Sequence, residues 1–156
     1  IKAQYKLGVI YHDGIYVTRN IDKSIYYLTL AANQNYPFTQ LVLGFIYSEN
    51  VYTTFNINKA IYYYSLAASQ NILQALKNLA LIYNVGKYVK PDIDKAIYYY
   101  SLAVDQNNSD AQFSLGVIYL TSNLVTRDIE KALHYLSLSK NQNISYAQMY
   151  ICPKSR

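Results

Sequence analysis

Asp92-Ile-Asp-Lys-Ala-Ile-Tyr-Tyr-Tyr-Ser-Leu-Ala-Val-Asp-Gln-Asn107 is one helix with its start and stop signals written into it. The apolar positions Ile93, Ala96, Ile97, Tyr100, Ala103 and Val104 fall at i, i+3, i+4, i+7, i+10 and i+11, the stripe that a 3.6-residue period buries. Asp94, Lys95, Tyr98, Ser101, Leu102 and Asp105 lie on the opposite side. The Asp92 carboxylate can accept a hydrogen bond from the free N–H groups of the first turn, and Asn107 tolerates the left-handed conformation that closes a helix.

This helix is one of four copies. Tyr11, Tyr47, Tyr83 and Tyr119 stand 36 residues apart, as do Lys23, Lys59, Lys95 and Lys131, and Leu7, Leu43, Leu79 and Leu115. The same step links Gly8, Gly44, Ala80 and Gly116, and Tyr27, Tyr63, Tyr99 and Tyr135. Gln-Asn closes each unit, ending at Asn35, Asn71, Asn107 and Asn143. Each unit holds two helical patterns. Helix A, read in the first unit from Ala3 to about Asp13, sets Ala3, Leu7, Ile10 and Tyr11 on one side with Gly8 beside them. After a loop, helix B starts at Asn20, Asn56, Asp92 or Asp128, all good N-cap residues. One hairpin cannot bury both of its apolar sides alone, so the units must stack. The expected organisation is a single domain of repeats 1–36, 37–72, 73–108 and 109–144, with a partial fifth over 145–152 beginning near Ala147.

The consensus Ala-x3-Leu-Gly-x2-Tyr-x2-Gly, a loop, then Asp-x2-Lys-Ala-x2-Tyr-Tyr-x2-Ala-Ala resembles the Sel-one-like repeat (SLR), a relative of the tetratricopeptide repeat. Ala111, Leu115, Gly116, Tyr119, Asp128, Lys131, Ala132 and Tyr135 carry it in the fourth unit, and Ala75, Leu79, Tyr83, Gly86, Asp92, Lys95, Ala96, Tyr99, Tyr100 and Ala103 in the third. A tetratricopeptide array would instead repeat every 34 residues. The resemblance implies an all-α fold, a right-handed α-α superhelix of antiparallel helix hairpins. It also implies an adaptor scaffold, often joined to other domains such as kinases. Two departures stand out: Tyr16, Tyr52, Tyr88 and Leu124 replace a loop glycine, and the usually charged outer position of helix B is Leu30, Leu66, Leu102 or Leu138. Secreted bacterial members often carry a cysteine pair in each repeat. This chain has only Cys152, which points to an intracellular, cytoplasmic setting.

The net charge of +5, from 14 basic and 9 acidic residues, is spread along the chain without blocks. It gives little basis for nucleic-acid binding, and no apolar run reaches the roughly 18 residues a membrane span needs. The chain opens on Ile1 without a leader and reads as a segment of something longer. The lysine row, three residues into each helix B, reads as a solvated face whose stems cover neighbouring rings rather than as a phosphate-tracking stripe. Catalytic inventory is thin. His12 beside Asp13 lacks a nucleophile or second carboxylate, His134 replaces an outward tyrosine (Tyr26, Tyr62 and Tyr98 elsewhere), and Cys152 before Pro153 is an incidental thiol. Neither histidine has a neighbour at metal-ligand spacing. The expectation is a non-enzyme without cofactor or metal.

A second row lies on helix A away from its core stripe. Val9, Phe45, Leu81 and Val117 share one position; Tyr5, Leu41, Lys77, Phe113 and Met149 share another one turn earlier. If helix A lines the inner curve, these side chains form an apolar strip on the concave surface, the mark of an interaction site. Tight curvature would instead bury them between neighbouring A helices. The first functional expectation is therefore a scaffold that holds a peptide or protein along Tyr5, Val9, Leu41, Phe45, Lys77, Leu81, Phe113 and Val117, rimmed by polar groups such as His12, Asp13, Glu49 and Asp110. The alternative is a structural spacer, or self-association through Leu30, Leu66, Leu102 and Leu138.

Overall fold

The computed structural model describes residues 1–49 and 55–140. Tyr52, Asn143, Ala147, Met149, Cys152, Pro153 and the partial fifth repeat lie outside the described residues. Every regular element among the described residues is an α-helix: α1 (Lys2–Asp13), α2 (Ile21–Ala32), α3 (Pro37–Ser48), α4 (Ile57–Ala68), α5 (Leu73–Val85), α6 (Ile93–Asp105), α7 (Ser109–Thr121) and α8 (Ile129–Lys140). Odd-numbered helices are the A helices and even-numbered ones the B helices. The chain forms two compact units, Ile1–Ala75 and Leu76–Arg156. In the first, α1 pairs with α2 and α3 with α4, and α2 packs on α3. In the second, α7 pairs with α8 and α6 packs on α7.

The local signals act as expected. The side chains of Asn20, Asn56, Asp92 and Asp128 accept hydrogen bonds of 2.9 to 3.0 Å from the backbone N–H groups of Lys23, Lys59, Lys95 and Lys131. Each cap residue's own N–H donates to the carbonyl of Tyr11, Tyr47, Tyr83 or Tyr119 at 2.8 to 3.2 Å, which ties the end of helix A to the start of helix B. Asn35, Asn71 and Asn107 have φ of 60°, 59° and 57°, the left-handed closure that asparagine tolerates better than other non-glycine residues.

The A–B crossing explains the glycine row. A Cβ placed on Gly8 would lie 2.5 Å from Leu28 Cγ, on Gly44 2.5 Å from Tyr64 Cδ1, and on Gly116 2.6 Å from Leu136 Cγ. The missing side chain makes room for a buried side chain of the same repeat's helix B. Beside each crossing, the rings of Tyr11 and Tyr27, Tyr47 and Tyr63, Tyr83 and Tyr99, and Tyr119 and Tyr135 stack within 8° of parallel at 5.7 to 6.1 Å. The ammonium of Lys23, Lys59, Lys95 or Lys131 sits 4.9 to 5.3 Å over the first ring of each pair. The lysine row thus caps an aromatic stack in every repeat, a cation–π contact.

Three expectations change. Leu43, Leu79 and Leu115 are buried, but Leu7 is 39% exposed and Ala3 is exposed too. The helices α3 and α7 are covered by the preceding helix B, whereas α1 takes its packing from α2. The leucines Leu30, Leu66, Leu102 and Leu138 are half-buried rather than outward-facing. Gln70, read in the sequence only as part of the closing Gln-Asn of its unit, joins Gln40 in a polar bridge between the first two repeats. Gln40, buried at the start of α3, donates from Nε2 to Asn35 Oδ1 (3.0 Å), while Gln70 Nε2 donates to Gln40 Oε1 (2.8 Å) and Asn35 Oδ1 (3.1 Å). In the second unit Gln112, also buried, donates to Asn107 Oδ1 at 3.3 Å. Buried amides must be paired in this way to be tolerated.

Candidate functional site

The A helices position the row singled out in the sequence, and the row divides between the two units. In the first unit, Tyr5, Val9 and Leu41 are half-buried and Phe45 is 42% exposed. The Tyr5 ring stands edge-on to Tyr36 at 5.4 Å, and the His12 imidazole stands edge-on to Phe45 at 6.2 Å. His12 Nδ1 lies 2.8 Å from Asp13 Oδ1, a contact at the exit of α1 that flanks Phe45. Burial first, then the neighbouring Tyr36 and Asp13, raise the Tyr5 phenol above its usual value and keep it neutral. In the second unit, Leu81 is 53% exposed, while Phe113 and Val117 are half-buried. Lys77 forms an ion pair with Asp110, which joins α5 to α7. The row therefore takes neither of the two extremes: Phe45 and Leu81 project, and the residues around them are part-covered.

Sequence reasoning missed the surroundings of Leu81. Together with Ile82, Val85, Lys87 and Tyr88 it lines an open depression of about 170 Å³ where α5 runs into its loop. Val85 is 58% exposed and Tyr88 39%, and Lys87 Nζ lies 4.8 Å over the Tyr88 ring. The signal was present in the 36-residue register. Position 85 corresponds to Asp13, Glu49 and Thr121, so one polar position turns apolar in this repeat alone. Larger clefts of about 480 and 440 Å³ open at the starts of α6 and α8, but their walls carry the caps Asp92 and Asp128. These carboxylates are already engaged by Lys95 and Lys131, at 3.0 and 3.4 Å. Among the described residues no group of three or more His, Cys, Asp or Glu side chains could hold a metal ion, and no helix is long and apolar enough to cross a membrane.

The sequence profile of the Sel1 repeat matches residues 1–36, 40–72, 73–108 and 109–144. The chain belongs to the Sel1 repeat family. Three solved structures bear on its fold, which is all-α and of the helical-solenoid class. An antigen of uropathogenic Escherichia coli, described as protective and as displaying an SLR fold, is 29% identical with a TM-score of 0.85, over 96% of this chain and 32% of that one. A Sel1 repeat protein from Oxalobacter formigenes is 27% identical with a TM-score of 0.77, over 98% and 64%. Helicobacter pylori cysteine rich protein B is 28% identical with a TM-score of 0.61, over 88% and 98%. The chain thus spans about a third of the first structure and less than two thirds of the second. No curated protein matches it significantly. Sel1 repeats generally serve as non-catalytic scaffolds for protein interactions.

Proposed function

We propose that this Sel1 array is a non-enzymatic adaptor that holds a peptide or protein partner on the A-helix row Tyr5, Val9, Leu41, Phe45, Lys77, Leu81, Phe113 and Val117. The observation that carries the reading is the exposure of two large apolar side chains, Phe45 and Leu81, at the same register of α3 and α5, beside positions that bury Leu43 and Leu79. Solvated apolar side chains that recur at one position of a repeat cost free energy unless a partner covers them. The lysine ammoniums rest on tyrosine rings, which favours a protein partner over a phosphate backbone. Cysteine usage favours an intracellular setting: the four repeats contain no cysteine and the chain's one, Cys152, lies beyond them, against a Helicobacter relative whose name is cysteine rich.

Selection from a random-peptide display library tests the proposal. Peptides enriched on the wild-type chain should lose binding to the double variant Phe45→Glu, Leu81→Glu, whose helical circular dichroism stays unchanged. Equal binding by the variant would place the partner elsewhere. The half-buried state of Leu30, Leu66, Leu102 and Leu138 weakens the self-association alternative, because little apolar area is left there to bury.

A further inference from the structure

The depression at Leu81, Ile82, Val85, Lys87 and Tyr88 differs from the rest of the row in shape and in charge. Its volume of about 170 Å³ lies well below the 300 to 1,000 Å³ typical of small-molecule sites, so it has room for one side chain rather than a cofactor. Its walls are Leu81, Ile82, Val85 and the ring of Tyr88, with the Lys87 ammonium over that ring. The first two repeats place a carboxylate, Asp13 or Glu49, at the position Val85 occupies here. The surrounding sequence is also one-sided: residues 50–91 contain Lys59, Lys77, Lys87 and Lys90 and no aspartate or glutamate. Lys77 is engaged by Asp110 and Lys90 lines the neighbouring cleft with Asp92 and Asp94, whereas Lys87 is exposed on the wall of the depression itself.

We infer that this depression is an anchor site for a short linear peptide that presents one bulky apolar side chain flanked by carboxylates. The inference rests on the proposed A-helix row and adds the chemistry of its occupant. The apolar side chain would cover Leu81, Val85 and Tyr88, and removal of their exposed area from water would supply most of the affinity. The flanking carboxylates would meet Lys87, the cation that lines the depression. Exposed ion pairs of this kind are individually weak, so they select the partner more than they hold it. A basic peptide with the same anchor would place like charges together and be rejected.

The test uses the whole chain, with methyl-labelled Leu, Ile and Val, and the N-acetylated, C-amidated peptide Asp-Glu-Leu-Phe-Asp-Glu. Two control peptides replace the acids by lysines or the Leu-Phe core by Ala-Ala. The acidic peptide should shift the methyl resonances of Leu81 and Val85 saturably below about 1 mM, and both controls should bind at least about tenfold more weakly. Lys87→Glu, an exposed position that leaves the fold intact, should lose the acidic peptide and gain the lysine peptide. Shifts at Val9 and Leu41 with none at Leu81 and Val85 would overturn the anchor site while leaving the row standing. Shifts at Leu81 and Val85, together with undiminished binding after Phe45→Glu, would keep the anchor and remove the rest of the row. No shift at all, or equal binding of acidic and basic peptides, would overturn the inference.

Discussion

Alanine at Gly116 tests whether the glycine row exists for close packing. The new Cβ would lie 2.6 Å from Leu136 Cγ, 2.9 Å from Leu136 Cδ2 and 3.2 Å from the Ala132 carbonyl oxygen, against ordinary carbon contacts of about 3.5 to 4.0 Å. Leu136 is 1% exposed, so it cannot swing into solvent, and α8 must yield by close to an ångström. Overpacking of this kind costs ~1 to 3 kcal/mol, while the better helix propensity of alanine returns ~1 kcal/mol. The net loss is ~1 kcal/mol, and for a chain of this length it lowers the melting temperature by about 2 to 4 °C. Thermal and urea unfolding of Gly116→Ala, Leu136→Ala and the double variant separate the two terms. With Leu136 shortened, the first two contacts vanish and the propensity gain is opposed only by the 3.2 Å approach to the Ala132 carbonyl, so the same Gly116→Ala change should become neutral or slightly stabilising. A coupling energy of ~1 kcal/mol or more is expected between adjoining residues of this kind. Equal effects of Gly116→Ala in both backgrounds would refute a steric role for the glycine.

Three further outcomes follow from single positions. Ser24 is fully buried with no hydrogen-bond partner for its hydroxyl, where the other repeats carry the buried alanines Ala60, Ala96 and Ala132; Ser24→Ala should raise the melting temperature by about 2 to 4 °C, equivalent to ~1 kcal/mol, and a decrease would show the hydroxyl to be bonded. Asn35→Gly removes left-handed strain but takes the acceptor from the buried Gln40 amide, so calorimetry should show a loss of ~1 kcal/mol; a gain would mean that Asn35 is only a stop signal. Asp92 and Asp128 hold their carboxyls below the usual range, chiefly by accepting the N–H groups of Lys95 and Lys131. Their stabilisation is therefore complete above the unfolded-state pKa of about 4 and is lost as pH falls through the lower folded-state values. Asp92→Asn with Asp128→Asn, the cap type already used at Asn20 and Asn56, should leave stability at pH 7 nearly unchanged and flatten that acid loss. An unaltered acid limb in unfolding scans from pH 6 to pH 2 would contradict the assignment.

The repeat architecture was legible because each of its devices recurs. Period, caps, left-handed asparagines and glycine crossings depend on short-range geometry, and every copy votes for the same reading. The Tyr–Tyr–Lys stacks were half legible: the lysine stems were expected over rings, but the partners, 12 to 16 residues apart in sequence, needed the hairpin to bring them together. What stayed hidden was set by single substitutions against the repeat. Val85 for an acid shows only as a break in the register, and the exposure of Leu7 against the burial of Leu43 has no periodic signature, because exposure depends on which helix lies across the position. Likewise, the row from Tyr5 to Val117 could be located by register. Its partial burial could not, since that reflects how each A helix is covered.

The stacked tyrosines have an optical consequence. With 20 tyrosines, four phenylalanines and no tryptophan, the near-ultraviolet dichroism above about 270 nm and nearly all intrinsic emission of the chain come from phenol rings. Four of its ring pairs each join a helix A to its own helix B, held near-parallel under an ammonium group. Opening any one hairpin parts one pair, so a series of Tyr→Phe replacements at Tyr27, Tyr63, Tyr99 and Tyr135 would turn the protein into its own label-free reporter of which repeat melts first.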